Sequence, residues 1–361
     1  MAINISFGGA TIQRPGSYST VDTTSMTAVT AGGFKTLAMV GVPNASNTCT
    51  VGSVSDFNDP ILAAAALGQC EALELMKIMW AHGADLIEFS PVAQSATDTD
   101  WQSAIDCLQS ASIDGIVVAS NSVSINAKAF AHCTLMSSVL NKRERWAFVG
   151  HAAGLTVSAI AALQAAFASE LVVLATPEVY NYDSTGASVL CGSEYLAAAY
   201  AGTWAGQEPE VPITYKYVSF PGLGKIYNGT DINTLLAAHI APTEYVRNKG
   251  YRIVQGVTTS ASADLTECEL SVSTTKVYMN QTIREYMDDK FVGQAGVVGI
   301  ETTMYNDLVT LIEGFKTAKY ISGYDSATVS VVKNGTAFIL QWEGYPTLPI
   351  NNFLLTTHLT L

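Results

Sequence analysis

RWAFVGHAAGLTVSAIAALQAAFASELVVLAT, residues 145–176, holds the pattern of the larger part of the chain in a single repeat. A nearly continuous apolar run over Arg145-Gly150, an Ala-rich stretch over Gly154-Ser169 and a second apolar run over Leu171-Thr176 spell strand, helix, strand. Apolar residues at successive rather than alternate positions mark strands covered on both faces, as in a parallel sheet between two helical layers. The weakly charged length from Ala152 to Pro177 matches a membrane span in size. Ser158, Gln164, Ser169 and Glu170 interrupt it, so it is read as core and no membrane insertion is expected.

Working outward, the same alternation runs from about residue 35 to 206. Further strands are predicted over Thr36-Val42, Asp85-Phe89 and Gly115-Ser120. Helices are predicted over Pro60-His82, with Leu62, Ala66, Leu73, Met76 and Met79 at helical spacing, and over Trp101-Ala111 behind the capping residues Asp98-Thr99-Asp100. Two more cover Ser124-Asn141 and Glu194-Gly206. Pro209, Pro212, Pro221, Gly222, Gly224, Asn228 and Gly229 then break the pattern, and Pro209-Gly250 is read as a connection between domains. Beyond it come a strand at Tyr251-Gln255, helices over Ser273-Phe291 and Thr302-Tyr320, and strands at Ala327-Val332 and Ala337-Trp342. The last two are joined by Lys333-Asn334-Gly335-Thr336, a hairpin signal. The fold class is therefore α/β: a β-α-β domain with a mostly parallel sheet, plus a small α+β C-terminal domain. The expected organisation is an N-terminal arm (1–22), an α/β domain (23–208), a connection with the α+β domain (209–344) and a C-terminal arm (345–361).

The arms follow from the two ends. Ile3, Ile5 and Phe7 alternate with Asn4, Ser6 and Gly8; Phe353, Leu355, Thr357, Leu359 and Leu361 alternate with Leu354, Thr356, His358 and Thr360. Arg14-Pro15-Gly16 breaks the chain after the first strand, and Pro346 and Pro349 precede the second, so neither is expected to have an adjacent partner. Residues 344–361 hold no charged side chain, which predicts a tail buried against a sheet, in its own subunit or a neighbour's.

Composition narrows the function. The 361 residues are 48% hydrophobic and 14% charged, against about 25% charged in an average domain, which excludes intrinsic disorder and suggests surface covered by other subunits. Eighteen Lys and Arg against thirty-one Asp and Glu give a formal charge of −13, so nucleic acid is not an expected partner. The opening MAINISFGGATIQRPG lacks a basic segment followed by an apolar one, and synthesis and folding in a cytosol are expected.

Catalytic motifs are missing where a parallel sheet invites them. Gly32-Gly33-Phe34-Lys35-Thr36 sets Phe between Gly and Lys and precedes a strand, so it is no P-loop; Gly222-Leu223-Gly224-Lys225-Ile226-Tyr227 lacks a third glycine and fails as a dinucleotide fingerprint. No G-x-S-x-G elbow or H-E-x-x-H helix occurs. His82 reads as a cationic helix cap before Gly83, and His132 beside Cys133 points away from it on a helix. His151 follows a strand at the carboxyl edge of the sheet, the usual place for an α/β active site, and is the one histidine with a catalytic alternative to a structural role. Asp85, Glu88, Asp98 and Asp100 show no metal or acid/base spacing, and no cofactor or metal is expected. Of six cysteines, Cys70, Cys107 and Cys133 lie among apolar helical residues and are expected to be buried. Cys49, Cys191 and Cys268 lie beside polar or Gly-containing segments and are candidates for thiols between subunits.

Several segments, in order, resemble the contractile tail sheath proteins of bacteriophages and phage-tail-like bacteriocins. Arg14-Pro15-Gly16-Ser17-Tyr18 is similar to the Pro-Gly-x-Tyr motif that ends the family's N-terminal arm, and Gly33-Phe34-Lys35-Thr36-Leu37-Ala38-Met39-Val40-Gly41 to the first strand after it. Glu194-Tyr195-Leu196-Ala197-Ala198-Ala199-Tyr200-Ala201-Gly202 resembles the helix with a small-residue face. Val246-Arg247-Asn248-Lys249-Gly250-Tyr251-Arg252-Ile253, with Gly256-Val257-Thr258-Thr259, resembles a Gly-aromatic turn leading to a strand and a Thr-containing loop. The chain is short for that family, as if without outer decorating domains, and has few basic residues near its C-terminal domain.

The resemblance implies a structural subunit, not an enzyme, that polymerises helically with copies of itself around a tail tube and contracts from a metastable state to drive the tube through the host envelope. Its other implied partners are baseplate and tail terminator proteins, and its place is the virion tail, assembled in the host cytoplasm. Ile3, Ile5, Phe7, Pro15, Gly16 and Tyr18 of the N-arm and Phe353, Leu355, Thr357, Leu359 and Leu361 of the C-arm would reach neighbours whose hairpin presents Val329, Val331, Phe338 and Leu340. Ten extended residues span roughly 35 Å, enough to enter a neighbour. Two other classes remain open on the residues alone: a cytosolic α/β enzyme using the sheet edge near His151 and Ser120, and a static shell or tube protein.

Overall fold

The computed structural model describes residues 5–7, 10–12, 35–183, 185–294, 297–334 and 337–351, and the chain divides into two units, residues 1–32 and 33–361. In the first, β1 (Ile5–Phe7) pairs antiparallel with β2 (Ala10–Ile12), Phe7 opposite Ala10. The N-terminal strand thus has an adjacent partner, contrary to the expectation drawn from the Arg14-Pro15-Gly16 break. Gly8-Gly9 in the sequence, a two-residue hairpin signal, stands ahead of that break.

The second unit runs β3 (Leu37–Gly41), β4 (Ser55–Phe57), α1 (Pro60–Leu67), α2 (Glu71–Ala81), β5 (Ile87–Pro91), α3 (Asp98–Cys107), β6 (Gly115–Val118), α4 (Val123–Met136), β7 (Trp146–Val149), α5 (Val157–Leu163), β8 (Val172–Thr176), β9 (Val179–Tyr182), β10 (Ser188–Cys191), α6 (Glu194–Ala205), β11 (Tyr217–Val218), β12 (Gly222–Leu223), α7 (Gly229–Ala237), β13 (Ala241–Val246), β14 (Gly250–Ile253), α8 (Leu265–Cys268), α9 (Leu270–Phe291), α10 (Ile300–Thr317), β15 (Ile321–Asn334) and β16 (Ala337–Pro346). Nine strands form one sheet in the order β11-β14-β13-β8-β7-β6-β3-β5-β4. From β13 to β5 all neighbours are parallel, and the outer strands β4, β14 and β11 are antiparallel.

Successive strand residues feed opposite faces. Leu37, Met39, Val117 and Phe148 join α1, α2 and α6 in one apolar cluster; Ala38, Val40, Ile116, Val118 and Ala147 join α3, α4, α5 and α7 in the other. Each fully buried Leu, Met or Phe contributes about 1.5–3 kcal/mol by leaving water, and both faces are filled this way. In α6, only Tyr195 of twelve residues is not buried. Its small residues permit that: a Cβ on Gly202 would lie 2.4 Å from the Met79 carbonyl oxygen of α2, so the two backbones meet there.

Several expectations are corrected. The helix predicted over Pro60-His82 is two helices, because Gly68 takes φ +67° between them and a Cβ on it would meet Asn44 at 2.7 Å. The cap of α3 is Thr97, not Asp98: Thr97 Oγ1 accepts from Asp100 N, and Asp100 reaches back to Thr97 N, a capping box. The segment read as a connection, Pro209-Gly250, places β11 and β13 in the main sheet and β12 in a second, three-stranded sheet ordered β10-β9-β12. Its prolines and glycines mark the ends of short strands, so the sheet does not stop near residue 208. The weakly charged stretch from Ala152 resolves into α5, a 3₁₀ turn and β8, and among the described residues no helix is long and apolar enough to cross a membrane.

The hairpin is longer than predicted, fourteen residues in β15 and ten in β16, and pairing closes at Asn334 opposite Ala337. Its inner face packs on α9 and α10 in a third apolar cluster of Met279, Leu308, Ile312, Phe315, Ile321 and Val329.

Candidate assembly site

The β15-β16 hairpin is a two-stranded sheet, and among the described residues neither strand has a partner on its outer edge. Such a ribbon leaves two rows of backbone N–H and C=O groups open, and two strands alone are marginal in water without further strands or a helical backing. Here the backing is α9 and α10. Val329 is buried and Val331 and Leu340 pack against the same cluster, so three of the four residues expected to receive a neighbour's strand hold the hairpin to its own helices. Phe338 is opposite Lys333, whose ammonium lies 5.9 Å from the ring centre. Phe338 and Leu340 also line a cavity of about 660 Å³ with Met287, Phe291 and Met304. The opposite face shows Val332 and Ile339 to solvent.

Of the arm residues, Ile5 and Phe7 fall in β1. Ile3, Pro15, Gly16, Tyr18, Phe353, Leu355, Thr357, Leu359 and Leu361 lie outside the described residues. The last described stretch is tied down step by step: Pro346 is still paired with Ile321, Thr347 N donates to Tyr320 O (3.1 Å), Thr347 Oγ1 donates to Lys319 O (2.6 Å), and Asn351 Nδ2 donates to Glu269 Oε2 (3.3 Å).

Helix α9 joins the hairpin to the large sheet. Leu270 to Thr275 are buried in the main body, where Trp204 Nε1 donates to Thr274 Oγ1 (3.0 Å), while Met279, Ile283 and Met287 serve the third cluster. Arg284 Nη1 and Nη2 donate to Glu144 Oε1 and Oε2 (2.9 and 3.0 Å), Gln281 adds a bond to the same carboxylate, and Lys276 pairs with Glu170. Burial raises the Glu144 pKa, but the Arg284 and Gln281 hydrogen bonds outweigh it and hold the carboxyl below its ordinary value.

The carboxyl edge of the sheet was the enzymatic alternative. His151 is buried; its Nδ1 donates to Ala152 O (2.8 Å), so Nε2 accepts from Thr176 Oγ1 (2.9 Å), which accepts from Tyr227 OH (2.7 Å). Burial lowers its pKa and keeps it neutral. Both nitrogens are engaged inside the protein, which is the structural role. At the switch point of the strand order, beside β3 and β6, an added Cβ on Gly41 would lie 2.7 Å from Ala72 Cβ and 2.9 Å from Ala119 Cβ, so packing fills the place where an α/β enzyme opens its crevice. Ser120 Oγ accepts from Ser122 N. Among the described residues no group of three or more His, Cys, Asp or Glu is placed to hold a metal.

The other histidines also turn inward. His82 ends α2, but as a neutral ring: Nδ1 donates to Ile78 O (2.7 Å), Nε2 accepts from Ser219 N (3.1 Å), and burial lowers its pKa, so the expected cationic cap is replaced by a tether between two loops. His132 Nε2 accepts from Arg145 Nη1 (2.8 Å); burial and that guanidinium push its pKa down to about 4. Sequence reasoning passed over Arg145, a fully buried arginine immediately before β7 that also donates to Leu108 O and Ala111 O. It passed over Glu194 as well, buried between Gly150 and Gly192, with its pKa raised to about 7 chiefly by burial.

The thiols divide differently from expectation. Cys268 is buried because it closes α8, where its carbonyl accepts from Thr258 N. Cys70 and Cys107 are only partly buried, since they stand at helix ends: Cys70 caps α2, and Cys107 ends α3 with Sγ donating to Ser103 O. Cys133 is buried as expected, and Cys49 and Cys191 are partly exposed.

The same arrangement occurs in sheath proteins of contractile systems. The chain superposes on the helical sheath of the anti-feeding prophage in its contracted state with a TM-score of 0.73, at 12% identity, over 95% of this chain and 98% of that one. It superposes on a sheath tail protein of Desulfitobacterium hafniense with a TM-score of 0.68, at 10% identity, over 92% and 96%. The fold is therefore that of a contractile-system sheath subunit. Residues 94–259 match the family model described as the phage tail sheath protein central domain, and the tail sheath protein of Bacillus phage SP01 is 27% identical over 271 residues, 73% of this chain. Residues 94–259 are thus similar to that central domain, and the chain is similar to phage tail sheath proteins along most of its length, as its sequence motifs suggested. It spans 46% of the SP01 protein's length.

Proposed function

We propose that the chain is a structural, non-catalytic subunit of a contractile tail sheath, and that it polymerises helically by exchanging terminal strands with its neighbours. The observation that carries this is the long β15-β16 hairpin with no strand partner on either outer edge among the described residues. N-arm strands around Ile3, Ile5 and Phe7, after the Pro15-Gly16-Tyr18 segment has led the arm away, and C-arm strands from Phe353 to Leu361 supply what those edges lack. Strand addition satisfies the open backbone groups, and the alternating apolar side chains set the register. The arms then hold the lattice together while subunits turn between an extended and a contracted state. The large α/β part faces outward, and the hairpin domain faces a tail tube. Baseplate and tail terminator proteins cap the polymer, and the particle is a virion tail assembled in the host cytoplasm.

Electron microscopy of the full-length chain beside one lacking residues 1–16 and 352–361 tests this. Tubes or rings from the full-length chain only, changing pitch after acid or denaturant stress, support the proposal. Monomers or dimers from both chains overturn it, and tubes of unchanging pitch leave a static tube in its place.

A further inference from the structure

Glu269 is fully buried at the start of α9, and its two oxygens are used unequally. Oε2 accepts two amide hydrogen bonds, from Gln255 Nε2 (3.1 Å) and Asn351 Nδ2 (3.3 Å), while Oε1 has no partner. That asymmetry is the pattern of a neutral carboxylic acid, whose carbonyl oxygen accepts and whose hydroxyl oxygen must donate. A buried acceptor without a donor is at hand, for Asn351 Oδ1 is also unpartnered. A proton on Oε1 donated to Asn351 Oδ1 would satisfy both atoms and turn the contact into a reciprocal acid-amide pair.

We propose that Glu269 is protonated in the folded chain and that the Glu269-Asn351 pair is a proton-dependent latch for the segment from Pro346 to Asn351. Ionisation removes one of the two hydrogen bonds and leaves a buried carboxylate against Asn351 Oδ1, so the latch opens as pH rises. Burial raises the pKa of Glu269, and the two amides oppose that rise. Among the described residues no cation compensates it: Gln255 and Asn351, which reach it from other segments, are uncharged, and the titratable groups along its own segment are Cys268, Asp264 and Glu267. Glu269 makes no capping bond to the α9 backbone. The latch lies within one subunit and stands whether or not residues 352–361 pair with a neighbour; its use in assembly rests on the function proposed above.

Two readouts test it in the full-length chain. Infrared difference spectra of wild type against Glu269→Gln should show one carboxylic-acid C=O band that disappears as pH rises. Proteolytic cleavage after residue 346, measured relative to Glu269→Gln at each pH, should quicken roughly tenfold per pH unit above the transition. In Asn351→Leu, a peripheral change that leaves the core intact, cleavage should lose that pH step. A wild type with no such band, or with cleavage that follows Glu269→Gln at every pH, overturns the latch. Tube formation enters neither readout, so failure of the sheath proposal is seen separately by microscopy.

Discussion

Arg284 grips both oxygens of Glu144, 140 positions earlier in the chain, and thereby fastens α9 to the segment that enters β7. Both side chains are about three-quarters or more buried, a setting in which a paired guanidinium and carboxylate matter more than at a surface. Arg284→Lys keeps the charge but removes the fork, and should cost about 1–2 kcal/mol in urea unfolding. Because the Glu144 pKa is held down, the stabilisation is present above the ordinary carboxylate range and is lost as pH falls through the lowered value. Acid titration of the unfolding midpoint should show that loss in wild type and much less of it in Glu144→Gln.

Gly202 admits no side chain, since a Cβ would meet Met79 backbone atoms at 2.4 to 3.0 Å. Gly202→Ala should therefore destabilise by at least about 1–3 kcal/mol despite the better helix propensity of alanine. Calorimetry giving an unchanged or raised Tm would contradict the close crossing of α2 and α6.

His132 should govern stability in mild acid. Its pKa of about 4 lies below the unfolded value near 6.5, so its contribution is complete above 6.5 and disappears as pH falls to 4. The largest effect is on the order of 3 kcal/mol. His132→Gln keeps an acceptor for Arg145 without titrating, and unfolding free energies measured from pH 7 to 4 should lose that slope. Glu269 acts in the opposite direction, because its raised pKa favours the fold at low pH and withdraws that support as pH rises through it.

Native-state alkylation should spare Cys133. Its thiol is fully buried and its pKa is pushed up to about 12, leaving roughly a thousandth of the usual thiolate. Mass mapping should find Cys49, Cys107 and Cys191 modified well before Cys133; equal rates would mean that α4 opens readily from the sheet.

The parallel strands were legible because burial on both faces leaves unbroken apolar runs: Leu37–Gly41, Gly115–Val118, Trp146–Val149 and Val172–Thr176 each fall within one residue or two of their expected ends. The hairpin and both long C-terminal helices were legible for similar local reasons. What stayed hidden depends on distant partners. Tyr217–Val218 is a strand only because Tyr251 and Arg252 lie beside it, and Pro242 sits in β13 because Thr176 pairs there. The buried charges Lys35, Arg145, Glu194 and Glu269 carry no local signal, since each is defined by atoms about fourteen or more positions away. The N-terminal hairpin is a different case: its signal, Gly8-Gly9, is local, and Pro15 breaks the chain only beyond β2.

Helix α9 is about 33 Å long by its 22 residues, and it is rooted at one end beneath the large sheet and at the other beneath the hairpin. In the assembly proposed above, a pull applied to a strand laid along the hairpin edge would meet a stiff beam rather than a hinge, and would be delivered as torque to the α/β body. On that proposal each subunit would behave as a gear tooth, and relative movement between subunits would fall on whatever joins them rather than within the subunit.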